Sequence, residues 1–423
     1  MKPRNRWPII SLLLLATLTA CNSNGGGSKR LPPNPAITFD CRADDGNCPE
    51  ITISGDPEAT LPDMSLSPWR GMGDPSIRKD PNSSRLWMSY TKVHAQVDAG
   101  PPILVNDAVS VHLAYSDDGG ATWTFERNIW ESSAETDPGG ATADAGYSGH
   151  EVSTITPFTA GASDQWFGLH LRYFYPLGEN VAQRRGDSYH FRLASATTAN
   201  ALGDNAEAVL GGPLTANGWN ANLNLSSLDP ELADCLVWTE PSLFQDKSTL
   251  YLMAQCLKLD VSLERIPAEE FIGLFKTAAS GAIDSFTWQW VGKVTTAANA
   301  QELGGEVLTQ ADFAYGRDGH MLLIVTPKDL DPQPRHKGCM VLELDSLEPP
   351  VLHRQSNGDL TVRAAISSSD SANSGITPPT TIPGNGLCAY DPDSNTGVLF
   401  VRFTFDTSVP ELVFHLHQTG IHP

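Results

Sequence analysis

Five times along this 423-residue chain, a short apolar strand, a polar turn and a second apolar strand follow one another. The first strands are carried by Gly73-Asp74-Pro75-Ser76-Ile77, Gly149-His150-Glu151-Val152-Ser153-Thr154-Ile155, Thr239-Glu240-Pro241-Ser242-Leu243-Phe244, Ala311-Asp312-Phe313-Ala314-Tyr315 and Leu387-Cys388-Ala389-Tyr390. Their partners start near residues 86, 165, 249, 320 and 397, beyond turns such as Asp80-Pro81-Asn82 and Arg317-Asp318-Gly319. The period is roughly 70–90 residues, which leaves room for long connecting loops. With 36 glycines, 31 prolines and no sustained helical periodicity, the pattern predicts one large all-β domain over residues 36–423.

Radial repetition is one of the few ways a β-sheet protein avoids exposed edges. Five units therefore predict a five-bladed β-propeller. An N-terminal strand at 50–54 or 36–39 would pair with 412–417 to close the ring. A six-bladed, sialidase-like ring is the alternative, with 204–228 as the stretch that would hold a sixth unit. The segment Ser116-Asp117-Asp118-Gly119-Gly120-Ala121-Thr122-Trp123 reads as a tight turn between two strands. Ser116 and Asp118 are placed to bond backbone amides, Gly120 to take a left-handed conformation, and Trp123 to pack beneath. Its pattern, Ser-x-Asp-x-Gly-x-Thr-Trp, resembles the Asp-box (BNR repeat) of sialidases and related propellers.

Residues 1–20 read as a signal peptide: Lys2, Arg4 and Arg6 precede an apolar run too short for an ordinary membrane helix. Leu18-Thr19-Ala20-Cys21 resembles the lipobox of bacterial lipoproteins, which implies acylation of Cys21. The Gly- and Asn-rich residues that follow, to about 35, read as a flexible tether. Asn22 resembles the sorting pattern of lipoproteins sent to the outer membrane. The expected location is the cell envelope, with the lipid as the sole membrane contact and the domain a monomer. Six further cysteines, an even number in an exported chain, suggest disulfides. The pairings expected are Cys41–Cys48 and Cys235–Cys256, by proximity, and Cys339–Cys388 as the remainder. No C-x-x-C spacing points to a metal. Removal of the three basic residues of the signal takes the net charge from −21 to −24, which excludes nucleic acid as a natural partner.

Aligned on the repeat, four units carry an acid at one register: Asp74, Glu151, Glu240 and Asp312, with Leu387 in the fifth. On a propeller the first strand of each blade lines the central channel, so four acids would converge. Crowded carboxyls cannot all ionise freely, and at least one pKa should rise. A raised carboxyl beside an ionised one is what glycoside hydrolysis uses. The arrangement resembles the five-bladed glycoside hydrolases of families 43 and 32. That resemblance implies that Asp74 acts as base or nucleophile, Glu240 as acid, and Glu151 as the carboxylate that orients substrate or tunes the acid. Asp312 receives no transferred role and stands as a substrate contact. No cofactor is called for, although channel carboxylates can hold structural calcium.

Trp69 and Trp238, just ahead of channel strands, are the tryptophans expected to meet a sugar. Arg70, His150, Tyr315 and Tyr390 complete the candidate substrate contacts. The resemblance to sialidases implies three arginines on a carboxylate, with Arg70, Arg172, Arg192 and Arg402 as candidates, but the Arg-Ile-Pro motif is absent. Three functions follow from these residues: a glycan-cleaving hydrolase, an exo-sialidase, or a non-catalytic propeller that binds glycan or protein.

Overall fold

The computed structural model describes residues 35–42, 46–60, 65–94, 96–97, 104–106, 109–136, 145–159, 164–177, 188–214, 221–260, 264–330, 335–368, 381–406 and 411–423. The proposed signal peptide, Cys21 and the tether lie outside them, as does most of the serine-rich stretch 367–375. Among the described residues the chain is nearly all strand, with one α-helix, Ala297–Glu302, and no helix long and apolar enough to cross a membrane.

The strands fall into five antiparallel groups. Their first strands are Trp69–Lys79, Ala145–Phe158, Cys235–Asp246, Val307–Tyr315 and Thr381–Ala389. Each pairs with a second strand, Leu86–Val93, Gln165–Pro176, Thr249–Lys258, Met321–Asp329 or Leu399–Asp406. Third strands follow at Val109–Ser116, His190–Ala196, Phe271–Thr277, Cys339–Leu347 and Glu411–Gln418. The stretch 204–228 adds outer strands to the second group, Ala208–Gly211 and Leu223–Asn224, and forms no separate unit. Each first strand packs on the first strand of the next group, and the fifth packs on the first. Packing, not one continuous ladder, joins most of the groups.

The N-terminal segment straps three groups together. Ile37–Asp40 lies parallel to Val362–Ser367 in the fourth. Glu50 bridges to His417, and the Ile51 amide donates to the Leu416 carbonyl at 2.7 Å, in the fifth. Ile53–Ser54 lies parallel to the start of Trp123–Trp130 in the first. Both N-terminal stretches expected to close the ring are thus used, but only the later one reaches the last group. All three expected disulfides are present, and Cys339–Cys388 joins the fourth group to the fifth.

The turn at 116–123 is held by its own side chains. Ser116 Oγ accepts from the Gly120 amide at 2.8 Å, and Asp118 accepts from the Thr122 amide at 2.9 Å and its hydroxyl at 2.6 Å. Gly120 sits at φ 98°, where a Cβ would stand 2.4 Å from Thr396 Cγ2, so only glycine lets the turn lie against the fifth group. Trp123 is buried beneath it.

Candidate active site

Every first strand is bulged, Cys235–Asp246 twice, and one bulge in each holds a non-glycine residue at positive φ: Asp74 (44°), Val152 (49°), Glu240 (52°), Gln310 (46°) and Leu387 (54°). Such backbone costs about 1–3 kcal/mol per residue and persists where the surroundings impose it. Here neighbouring groups impose it. Thr91 Oγ1 accepts from the Val152 amide at 3.1 Å, and Thr326 Oγ1 from the Leu387 amide at 3.0 Å. Just past the bulges, Ser76 Oγ accepts from the Ile155 amide at 3.2 Å and Thr154 Oγ1 from the Leu243 amide at 2.9 Å. Side-chain oxygens thus satisfy backbone donors where first strands diverge too far for a ladder.

These bulges set the true register. Val152 occupies the position assigned to Glu151, and Gln310 that assigned to Asp312. Glu151 still faces the axis, because it and Val152 line the same space. Asp312, two residues past the bulge, does not. It is buried against Arg78, whose Nη2 lies 2.6 Å away, and it accepts from the Tyr390 amide at 3.3 Å.

Asp74, Glu151 and Glu240 line one cavity of about 50 Å³ on the axis of the ring. That is room for a few water molecules and less than a sugar ring needs. Trp69, Tyr175 and His336 share its wall with Val93, Val109, Leu412 and Phe414, and no Lys or Arg is among the lining residues. Burial, with the negative charges of Glu151 and Glu240 added, pushes the Asp74 carboxyl up to about 8, against hydrogen bonds from Thr91 and the Val152 amide. The Asp74 carboxyl is therefore held protonated near neutral pH. Burial, reinforced by the charge of Lys328, holds His336 well below the usual imidazole range, so its ring is neutral.

Of the seven expected substrate contacts, Trp69 alone lines this cavity. Its indole Nε1 is buried with no hydrogen-bond partner among the described residues. Trp238 is in the core, where Nε1 donates to Ser226 Oγ at 2.9 Å and the ring packs on Phe275. His150, on the opposite face of its strand from Glu151, bonds His170 at 2.9 Å and Ser148 at 3.0 Å. Arg70 donates to the Ser67 carbonyl at 3.0 Å. Tyr315 lies at the far end of its strand, its hydroxyl 2.5 Å from Asp246, and Tyr390 is fully buried with its hydroxyl 3.4 Å from His422. Arg172 pairs with Glu135, and Arg192 lies 3.0 Å from His190; neither they nor Arg402 line the cavity. No three-arginine cluster forms there. No group of three His, Cys, Asp or Glu residues among those described is arranged to hold a metal ion.

Sequence reasoning missed Gln310, Thr91, Tyr175 and His336. Gln310 donates to Asp74 Oδ1 at 3.4 Å. Its signal was present in Thr309-Gln310-Ala311-Asp312, but the nearby acid drew the alignment two residues too far.

No family model and no curated protein matches the chain. Solved structures do. A family 117 glycoside hydrolase of the marine bacterium Zobellia galactanivorans is 10% identical over 88% of this chain and 89% of its own, at a TM-score of 0.43. A xylan β-1,4-xylosidase of Bacillus halodurans is 13% identical over 82% of this chain and 52% of its own, at 0.42. An arabinanase of Bacillus subtilis is 13% identical over 83% and 96%, at 0.34.

Proposed function

We propose that this protein is a glycoside hydrolase built on a five-bladed propeller, with Asp74 and Glu240 as its acid–base pair and Glu151 tuning them. One observation carries the reading: three carboxyls from three different strand groups meet in one apolar-walled cavity, and one of them is held protonated near neutral pH. A protonated and an ionised carboxyl side by side are the minimum equipment for protonating a glycosidic oxygen while activating an attacking group. The motif resemblance makes Asp74 the base or nucleophile and Glu240 the acid. For those roles, the proton on Asp74 in the empty cavity must pass to Glu240 as the glycoside displaces water. The absence of cationic lining favours neutral sugars over sialosides.

The same reading places the domain outside the cytoplasm, as its three disulfides suggest. There it would be tethered through acylated Cys21 to the outer membrane. A non-catalytic glycan- or protein-binding propeller is the second reading, favoured by the small cavity. A panel of aryl glycosides, sialosides included, decides between them. We expect cleavage of at least one neutral glycoside and its loss, by about 10²–10⁴-fold, in Glu240→Gln. Activity untouched by that change removes Glu240 from the chemistry, and no cleavage of any substrate leaves the binding propeller.

A further inference from the structure

We propose that Gln310 is the positioning residue for Asp74, its side-chain amide serving that carboxyl in both of its protonation states; the inference rests on the reading of Asp74 as half of the acid–base pair. Gln310 occupies in the fourth group the bulge position that Asp74 and Glu240 occupy in the first and third. It is 6% exposed, and its Nε2 donates to Asp74 Oδ1 at 3.4 Å. Its Oε1 is buried with no partner among the described residues.

The other two hydrogen-bond partners of Asp74 hold its charged form. The Val152 amide only donates. Thr91 Oγ1 accepts from that amide at 3.1 Å and gives its hydrogen to Asp74, holding the carboxyl down. Both therefore favour the carboxylate. The groups that titrate around Asp74 are Glu151 from the second first-strand, Glu240 from the third, Tyr175 from Gln165–Pro176 and His336 from Arg335–His336. None of the carboxylates can donate to an ionised Asp74. A primary amide carries a donor and an acceptor on one planar group. Nε2 holds the carboxylate, and a half-turn about the last torsion presents Oε1 to the O–H of the acid. The buried, idle Oε1 is what such a two-state partner keeps in reserve. A glutamate in the same place would add a further acid to the cluster, and an apolar residue would offer Asp74 neither donor nor acceptor.

The test compares Gln310→Asn and Gln310→Met with the parent protein, each also in an Asp74→Asn background. Asparagine tolerates positive φ well, so the first variant keeps the bulge while falling one methylene short of Asp74. Two readouts are taken from pH 5 to 10: Tm, which needs no substrate, and kcat with KM on the best glycoside. Loss of the donor makes Asp74 ionise later. The pH at which Tm stops falling should therefore move up by about 0.5–1 unit. We expect kcat to drop about 10-fold with KM within about twofold, as misplacement of one reacting group does. In the Asp74→Asn background, the Gln310 changes should leave the shape of the Tm profile unaltered. Profiles that coincide with the parent's, or that shift equally in the Asp74→Asn background, overturn the inference. If no glycoside is cleaved by the parent, the Tm profiles still decide the Asp74–Gln310 coupling, and only the hydrolase reading fails. If hydrolysis depends on Asp74 while the profiles coincide, the hydrolase reading stands and the inference alone fails.

Discussion

Arg78 reaches across the ring to Asp312, with Nη2 2.6 Å from Oδ1 and both side chains more than nine-tenths buried. The same guanidinium donates to the carbonyls of Ile77 at 2.7 Å and Phe313 at 3.2 Å, so one cation ties the first strand group to the fourth. The acid that sequence alignment sent to the channel is a fastener between strand groups. Breaking a buried pair by removing one partner leaves an uncompensated charge and costs about 3–5 kcal/mol. Asp312→Asn should therefore lower Tm sharply, as should Arg78→Met, while the double variant Arg78→Met/Asp312→Leu recovers part of the loss. Calorimetry on the four proteins checks this. A single variant as stable as the parent would mean that the pair contributes nothing to closing the ring.

Asp74 makes the opposite kind of contribution. Its carboxyl is raised from 3.8 to about 8 in the folded chain, so between those values the folded state holds a proton that the unfolded chain has released. By linkage, stability falls as pH rises through that window, at up to about 1.4 kcal/mol per pH unit, and levels off above it. Asp74→Asn removes the titration. Its Tm should stay nearly flat from this source, so its advantage over the parent grows from pH 5 to pH 9 while activity is lost. Parallel Tm profiles would show that Asp74 ionises at its ordinary pH and that the cavity is wetter than its lining suggests.

What could be read from the sequence, and what could not, follows from the distance over which each signal acts. The turn at 116–123 was legible because Ser116, Asp118, Gly120 and Thr122 bond one another within a few residues. The first strands were legible from their alternation and flanking turns. The bulges were not: nothing in Glu151-Val152 or Gln310-Ala311-Asp312 announces which residue is forced to positive φ, because Thr91 and the adjoining groups impose it from elsewhere in the chain. One or two residues of slip then change which face a side chain takes. Trp69 and Trp238 were equivalent in sequence, each just ahead of a channel strand. The cavity claims the first, whereas Ser226, in the 3-10 turn Leu225–Ser227 that precedes the strand, holds the second in the core.

Trp69 carries a testable consequence of its own. A buried indole N–H without a partner is destabilising, and under the proposed function it would gain a hydrogen bond to a ligand oxygen. Trp69→Phe keeps the ring and deletes the donor. We expect Tm unchanged or slightly higher, and KM for the best glycoside raised about 5–10-fold, the worth of roughly 1–1.5 kcal/mol. Unchanged KM with unchanged Tm would mean that the nitrogen meets no substrate atom.

The three disulfides should differ in worth by the length of chain each one closes. Cys41–Cys48 spans 7 residues, Cys235–Cys256 spans 21 and Cys339–Cys388 spans 49. Loop-closure entropy in the unfolded chain then ranks them at about 2, 3 and 4 kcal/mol. The packing argues for the same order. Cys41–Cys48 staples a strap to itself, and Cys235–Cys256 joins two strands already paired in register. Cys339–Cys388 instead links the fourth strand group to the fifth, where few backbone hydrogen bonds cross. Its removal loosens that seam alone, because the last group stays laddered to the first where residues 412–414 run parallel to residues 69–71. Paired Cys→Ser variants, unfolded in urea under oxidising conditions, should lose stability in that order, and only the Cys339/Cys388 pair should open the seam between the fourth and fifth groups to proteolysis before global unfolding. If the Cys235/Cys256 variant proves the weakest of the three, the seam between the fourth and fifth groups is held by packing alone.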